Sequence, residues 1–106
     1  MTYGSDNLAY ADVRREDRDD VHYHVRAFGP DAKPLTLLVV NVSPHGVMAR
    51  CDKDYAAGQR IRLMLPSAGA MAAEVRWALG CRIGCKFDIA IDLATYYEML
   101  ATVVKR

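Results

Sequence analysis

Turn-forming residues punctuate this chain at short intervals and leave little room between them. Gly29-Pro30-Asp31-Ala32-Lys33-Pro34, Pro44-His45-Gly46, the stretch 52–59, Pro66-Ser67-Ala68-Gly69 and Gly80 each interrupt the backbone. The segments between them alternate with a period of two, which is the pattern of a strand with one inward face. From Val21 to Phe28, Val21, Tyr23, Val25 and Ala27 face one way, and His22, His24, Arg26 and Phe28 the other. Leu35 to Val42 is rich in apolar and β-branched residues, with Thr36, Leu38, Val40 and Val42 on one face and Leu35, Leu37, Val39 and Asn41 on the other. A strand apolar on both faces needs cover on its outer side. Val47 to Cys51 leaves the next turn as another strand. Arg60 to Leu65 points Ile61, Leu63 and Leu65 inward. Ala70 to Leu79 sets Ala73, Val75 and Trp77 against Glu74 and Arg76. Cys81 to Ile89 places Cys81, Ile83, Cys85 and Phe87 together, so both of its cysteines are expected in the core. Six short strands joined by turns predict an all-β fold, a small antiparallel barrel.

After these strands the period changes. Asp92 offers an N-cap, and Leu93, Tyr96, Tyr97, Leu100, Val103 and Val104 recur at helical spacing. This terminal helix is the natural cover for the Leu35/Leu37/Val39 face or for a partner's surface. A chain of 106 residues, 52% of them apolar, holds one domain with one core. The expected division is a flexible tail over 1–13 and a single domain over 14–106. Within that domain an arginine-bearing arm occupies 14–20, the barrel 21–91 and the helix 92–105.

The net charge of +1 offers no broad field for a long polyanion, so an RNA- or single-stranded-DNA-binding barrel is disfavoured. The sequence contains no apolar run of the length a membrane span needs, and its first residues lack the basic-then-apolar pattern of a signal peptide. Three cysteines without an export signal predict reduced thiols and a cytoplasmic location.

Two short motifs carry the functional signal. Arg14-Arg15-Glu16-Asp17-Arg18 lies among carboxylates, so its arginines are either spent on neighbouring acids or aimed individually. Asn41-Val42-Ser43-Pro44-His45-Gly46 ends the most apolar strand with a polar pair on one shared side. An ordinary hairpin turn would use Asn, Ser, Pro and Gly for backbone reasons alone. That reading does not account for the shared side. No Ser/His/Asp or paired-carboxylate spacing suggests catalysis, and the expectation is a protein that is not an enzyme and needs no metal or cofactor. His22 and His24 share a solvated face, and His45 points to water.

With Arg14 and Arg18 as Arg-x-x-x-Arg, and Asn41, Ser43 and Gly46 as Asn-x-Ser-x-x-Gly, the chain resembles the PilZ domain family, bacterial receptor modules for cyclic di-GMP. The resemblance covers roughly residues 14 to 90. It includes Ala57-Gly58-Gln59-Arg60-Ile61-Arg62-Leu63, and Val75-Arg76-Trp77 with Gly84 and Phe87 beyond it. It implies a six-stranded antiparallel barrel with a C-terminal helix, and cyclic di-GMP as the ligand. It further implies ligand contacts from Arg14, Arg18, Asn41, Ser43 and Gly46, with Arg15, Arg50 and Trp77 as secondary contacts. Many members carry Asp where this chain has Asn41. Gly46 would supply either a positive φ or close approach of backbone to ligand. Trp77 would stack on a base or fill the barrel rim beside Val75 and Ala73.

Arginine suits such a ligand, because its planar fork pairs with guanine O6/N7 or phosphate oxygens and its face stacks on purines. Each bidentate contact contributes about 1–3 kcal/mol. A few of them approach the roughly 8 kcal/mol of micromolar binding. With no effector domain expected in the chain, output would pass to a partner protein. The alternative is a PilZ-like interaction module that works without nucleotide.

Overall fold

A computed structural model describes residues 18–104. Six strands form a closed antiparallel barrel: β1 (Asp19–Phe28), β2 (Pro34–Ser43), β3 (Gly46–Arg50), β4 (Arg60–Leu65), β5 (Gly69–Leu79) and β6 (Arg82–Phe87). One helix, α1 (Leu93–Val103), comes after them. Around the barrel the order is β1-β2-β3-β6-β5-β4. Every neighbouring pair is antiparallel. The seam between β1 and β4 is short, with Ala27 opposite Leu63 and Phe28 opposite Arg62. The expected all-β barrel with a terminal helix is the fold observed.

The core is the set of inward positions that the alternation assigns. Val25 and Ala27 from β1, Ile61, Leu63 and Leu65 from β4, Ala73 and Val75 from β5, and Ile83, Cys85 and Phe87 from β6 are all buried. Full burial of a side chain such as Leu63 stabilises the fold by about 1.5–3 kcal/mol.

Strict alternation fails at two places, and both reset which side chains the barrel turns outward. On β2, Val39 is opposite Ala49 but Asn41 is opposite Met48, so Val40 is an extra residue. This bulge changes the face of the strand, and the interior takes Leu37, Val39 and then Val42. The two uninterrupted faces expected for this strand are therefore not observed. On β5, Val75 is opposite Cys85 but Trp77 is opposite Gly84, so Arg76 is extra. Trp77 thereby leaves the face of Ala73 and Val75 and is 40% exposed.

Cys81 also departs from expectation. It lies in the turn ahead of β6 and is exposed, because the barrel wall has ended there.

Asp92 caps α1 as its sequence position suggests. Its side chain accepts the Thr95 N–H at 3.2 Å and the Thr95 hydroxyl at 2.7 Å. The buried stripe of α1 is Tyr96, Met99 and Val103, while Leu93 and Tyr97 face outward. Met99 and Val103 close one end of the barrel against Val39, Val42 and Leu65. The Tyr96 hydroxyl donates to Asp19 at 2.6 Å and lies 3.1 Å from the Val42 carbonyl. The helix therefore holds the start of β1 and the end of β2 together.

Candidate functional site

The two bulges bring one row of residues into register across the barrel wall. Asp20 on β1 is opposite Asn41 on β2, which is opposite Met48 on β3. Met48 is opposite Gly84 on β6, and Gly84 is opposite Trp77 on β5. Neighbouring strands lie about 4.8 Å apart, so Asn41 and Trp77 are separated by about 14 Å across the sheet. Without the extra residues Val40 and Arg76, neither Asn41 nor Trp77 would meet this row on its outer side.

Gly84 determines how Trp77 lies. A Cβ at Gly84 would come within 2.2 Å of the indole Nε1 and 2.3 Å of Cε2. The ring therefore rests on bare backbone beside Met48, with its far side open to solvent.

The turn after β2 is rigid. Ser43 is opposite Gly46, leaving Pro44 and His45 as the loop. The Ser43 hydroxyl accepts the His45 N–H at 3.1 Å. A hydroxyl that accepts still has a proton to donate. The Pro44 carbonyl accepts the Ile91 N–H at 2.8 Å, and the His45 carbonyl accepts the Phe87 N–H at 2.8 Å. Gly46 is not in the left-handed region. Its requirement is space, since a Cβ there would stand 2.1 Å from the Cys85 carbonyl oxygen. Of the two alternatives expected for Gly46, the positive φ is absent, and the close approach seen is to the backbone of β6.

Arg18 joins the first motif to the second. Its guanidinium donates to the Asn41 side-chain oxygen, and the Asn41 amide donates to Asp20 at 3.2 Å. Arg18 is thus engaged by a neutral amide, and among the described residues no carboxylate forms an ion pair with it. Arg14 and Arg15 lie outside the described residues.

Arg18, Ser43, Gly46 and Trp77 line one concavity of about 280 Å³, together with His45, Met48, Arg76, Gly84, Cys85 and Lys86. Among the described residues no carboxylate lines it and neither Arg76 nor Lys86 forms an ion pair, while Glu74 on β5 is opposite Lys86 across the ladder. Three cations around a flat aromatic face suit a ligand that is both planar and anionic. Burial in the core pushes the Cys85 thiol up to about 12, so it stays neutral behind the wall of the concavity.

The expected residues fall into two groups. Arg18, Ser43, Gly46 and Trp77 converge on the concavity, and Asn41 reaches it through Arg18. Arg50 stands apart, one outward position beyond Met48 and opposite Arg82. Lys86 and Met48 are additions that the two motifs do not name. Lys86 has a usable signal, since strand parity turns it outward between buried Cys85 and Phe87, and pairing places it opposite Gly46. Arg76 reads as outward-facing from parity, but its proximity to Trp77 depends on the bulge.

No protein-family model matches the chain, and no curated protein matches it by sequence.

Proposed function

We propose that this protein is a PilZ-type cyclic di-GMP receptor that signals to a partner protein. The observation that carries the reading is the meeting of two motifs distant in sequence. Arg18 of the arm is hydrogen-bonded to Asn41 of the turn motif, beside a concavity that gathers Ser43, Gly46 and Trp77 and, among the described residues, contains no acid. In this proposal the dinucleotide rests against the Ser43–Gly46 turn, with a purine face on Trp77. Arg14 and Arg18 close over it with Arg15 beside them, and pair with phosphate or guanine edges. Asn41 exchanges its contact with Arg18 for one with the ligand. Arg76 and Lys86 add charge at the far rim. The protein works as a cytoplasmic receptor without chemistry of its own, and ligand binding presents the arm and barrel edge to an effector in a new arrangement.

Isothermal titration with cyclic di-GMP tests this reading. The intact protein is expected to bind, with Arg14→Ala and Ser43→Ala each weakening the affinity roughly tenfold or more, as loss of one charge-assisted or buried contact implies. No heat from the intact protein, or equal heat from all three, contradicts it.

A second reading is favoured by one observation. Ile89, Leu93 and Tyr97 are large apolar side chains left exposed at and before α1. They suit a PilZ-like module that binds a protein regardless of nucleotide. Equal capture of a partner with and without cyclic di-GMP supports that reading over the first.

A further inference from the structure

The end of the β3–β6 ladder brings together two cysteines that the ligand site does not use. The ladder pairs Val47 with Cys85, Ala49 with Ile83 and Arg50 with Arg82. One step further, Cys51 is opposite Cys81, and the Cys51 N–H donates to the Cys81 carbonyl at 2.8 Å. Hydrogen-bonded cross-strand partners have Cα atoms about 5.5 Å apart, inside the range that a disulfide spans. Side chains of directly opposed residues leave the sheet on the same side, as buried Val47 and Cys85 do.

The two thiols differ in access. Cys81 is exposed in the turn between β5 and β6, where the backbone is not held on both sides. Cys51, its partner across the ladder, is buried. An oxidant in solution therefore meets Cys81 first, and the nearest second sulfur across the ladder belongs to Cys51. Cys85 is buried further down β6, opposite Val47.

We propose that Cys51 and Cys81 form a reversible intrachain disulfide when the protein meets a peroxide. The Cys81 sulfur attacks the peroxide and breaks its O–O bond. This gives a sulfenic acid on Cys81 and, for hydrogen peroxide, one water. The Cys51 sulfur then attacks Cys81 Sγ, the S–S bond forms, the S–O bond breaks, and a second water leaves with the Cys51 proton. Two thiols lose two electrons and the peroxide gains them. A thiol reductant reverses the step by exchange. The closed bond fixes the end of the β3–β6 ladder, three residues beyond Met48 and Gly84, and leaves the lining of the concavity chemically unchanged.

The test uses the full chain, reduced, freed of reductant and treated with stoichiometric hydrogen peroxide. Remaining thiols are then alkylated and the peptides mapped by mass spectrometry without reduction. The expected result is a monomer lighter by two hydrogens, a linked pair of peptides bearing Cys51 and Cys81, an alkylated Cys85, and recovery of the original mass with dithiothreitol. Cys85→Ser is expected to behave identically. Cys81→Ser, a change at an exposed turn that leaves the core intact, is expected to abolish the two-hydrogen loss. The proposal is overturned if all three cysteines remain alkylatable. It is equally overturned if Cys81 proceeds to sulfinic acid or links two chains while Cys51 stays free, or if Cys81→Ser still loses two hydrogens.

Discussion

Two concavities of this barrel, each lined by a pair of arginines, differ in an instructive way. The larger, about 570 Å³, lies between the β1–β2 turn and β4 and is lined by Phe28, Gly29, Gly58, Arg60 and Arg62 among others. Arg60 there is committed to Asp88 in an ion pair. The smaller, at the Ser43–Gly46 turn, gathers Arg18, Arg76 and Lys86 with no acid among the described residues of its lining and adds an open tryptophan face. Size favours the first, while unspent charge and a stacking surface favour the second. Glycines allow close approaches at both: Gly46 to the Cys85 carbonyl and Gly84 to Trp77 in the smaller, and Gly29 to the Tyr55 hydroxyl in the larger. At Gly58, in the larger groove, a Cβ would meet nothing within 4 Å, although its φ of 95° still favours glycine.

The largest expected effect breaks the smaller site by its frame. Gly46→Ala places a methyl group into the Cys85 carbonyl and forces β3 away from β6. Loss of more than about 2 kcal/mol is expected, read as a lowered urea midpoint, as for other severe backbone clashes. Arg62→Ala in the other groove, at an exposed strand position, is expected to leave the midpoint within about 0.5 kcal/mol of the parent.

A smaller effect separates platform from frame. At Gly84 the obstructing atoms belong to the Trp77 side chain, which is partly exposed and can swing away. Gly84→Ala is expected to cost about 1 kcal/mol of stability. It should shift the Trp77 emission to longer wavelength and weaken ligand binding. Unchanged emission would mean that the ring does not rest on Gly84.

These features differ in how far the sequence exposes them. The turns and the alternation are local properties, so the six strands, the Asp92 cap and the inward set Ile61, Leu63, Leu65 are legible residue by residue. The motif residues Arg18, Asn41 and Ser43 are equally legible. What the sequence conceals is register. A bulge at Val40 or Arg76 arises from pairing with the neighbouring strand, and no period of two reveals it. Trp77 therefore reads as a core or rim residue from parity, yet stands outside. Cys81 reads as buried because alternation does not mark where the wall stops. Lys86 carries no motif of its own, because its significance lies in its partner Gly46, forty residues away by sequence numbering.

The smallest effect concerns pH and the cap of α1. The Asp92 carboxyl is held below its usual range, first by the hydrogen bond from the Thr95 hydroxyl and then by the Thr95 backbone N–H. A carboxyl whose folded value is lowered stabilises the fold above its unfolded value, about pH 4. That contribution is lost as pH falls through the lowered folded value. Asp92 caps the helix whose Tyr96 reaches Asp19 and Val42, so acid should weaken the hold of α1 on the start of β1 and the end of β2. In thermal unfolding, Asp92→Asn is expected to melt slightly below the parent at neutral pH, with the gap closing in acid. A gap that widens in acid would contradict the sign.

The most direct measurement uses Trp77, the single tryptophan of the chain, as a reporter inside the smaller site. Cyclic di-GMP should change its fluorescence saturably in the parent and in Arg62→Ala with the same midpoint. Arg18→Ala should need roughly tenfold more ligand or beyond, consistent with about 1–3 kcal/mol for a forked contact. If the nucleotide leaves Trp77 fluorescence unchanged, or if Arg62→Ala shifts the midpoint and Arg18→Ala does not, the account of this site is wrong.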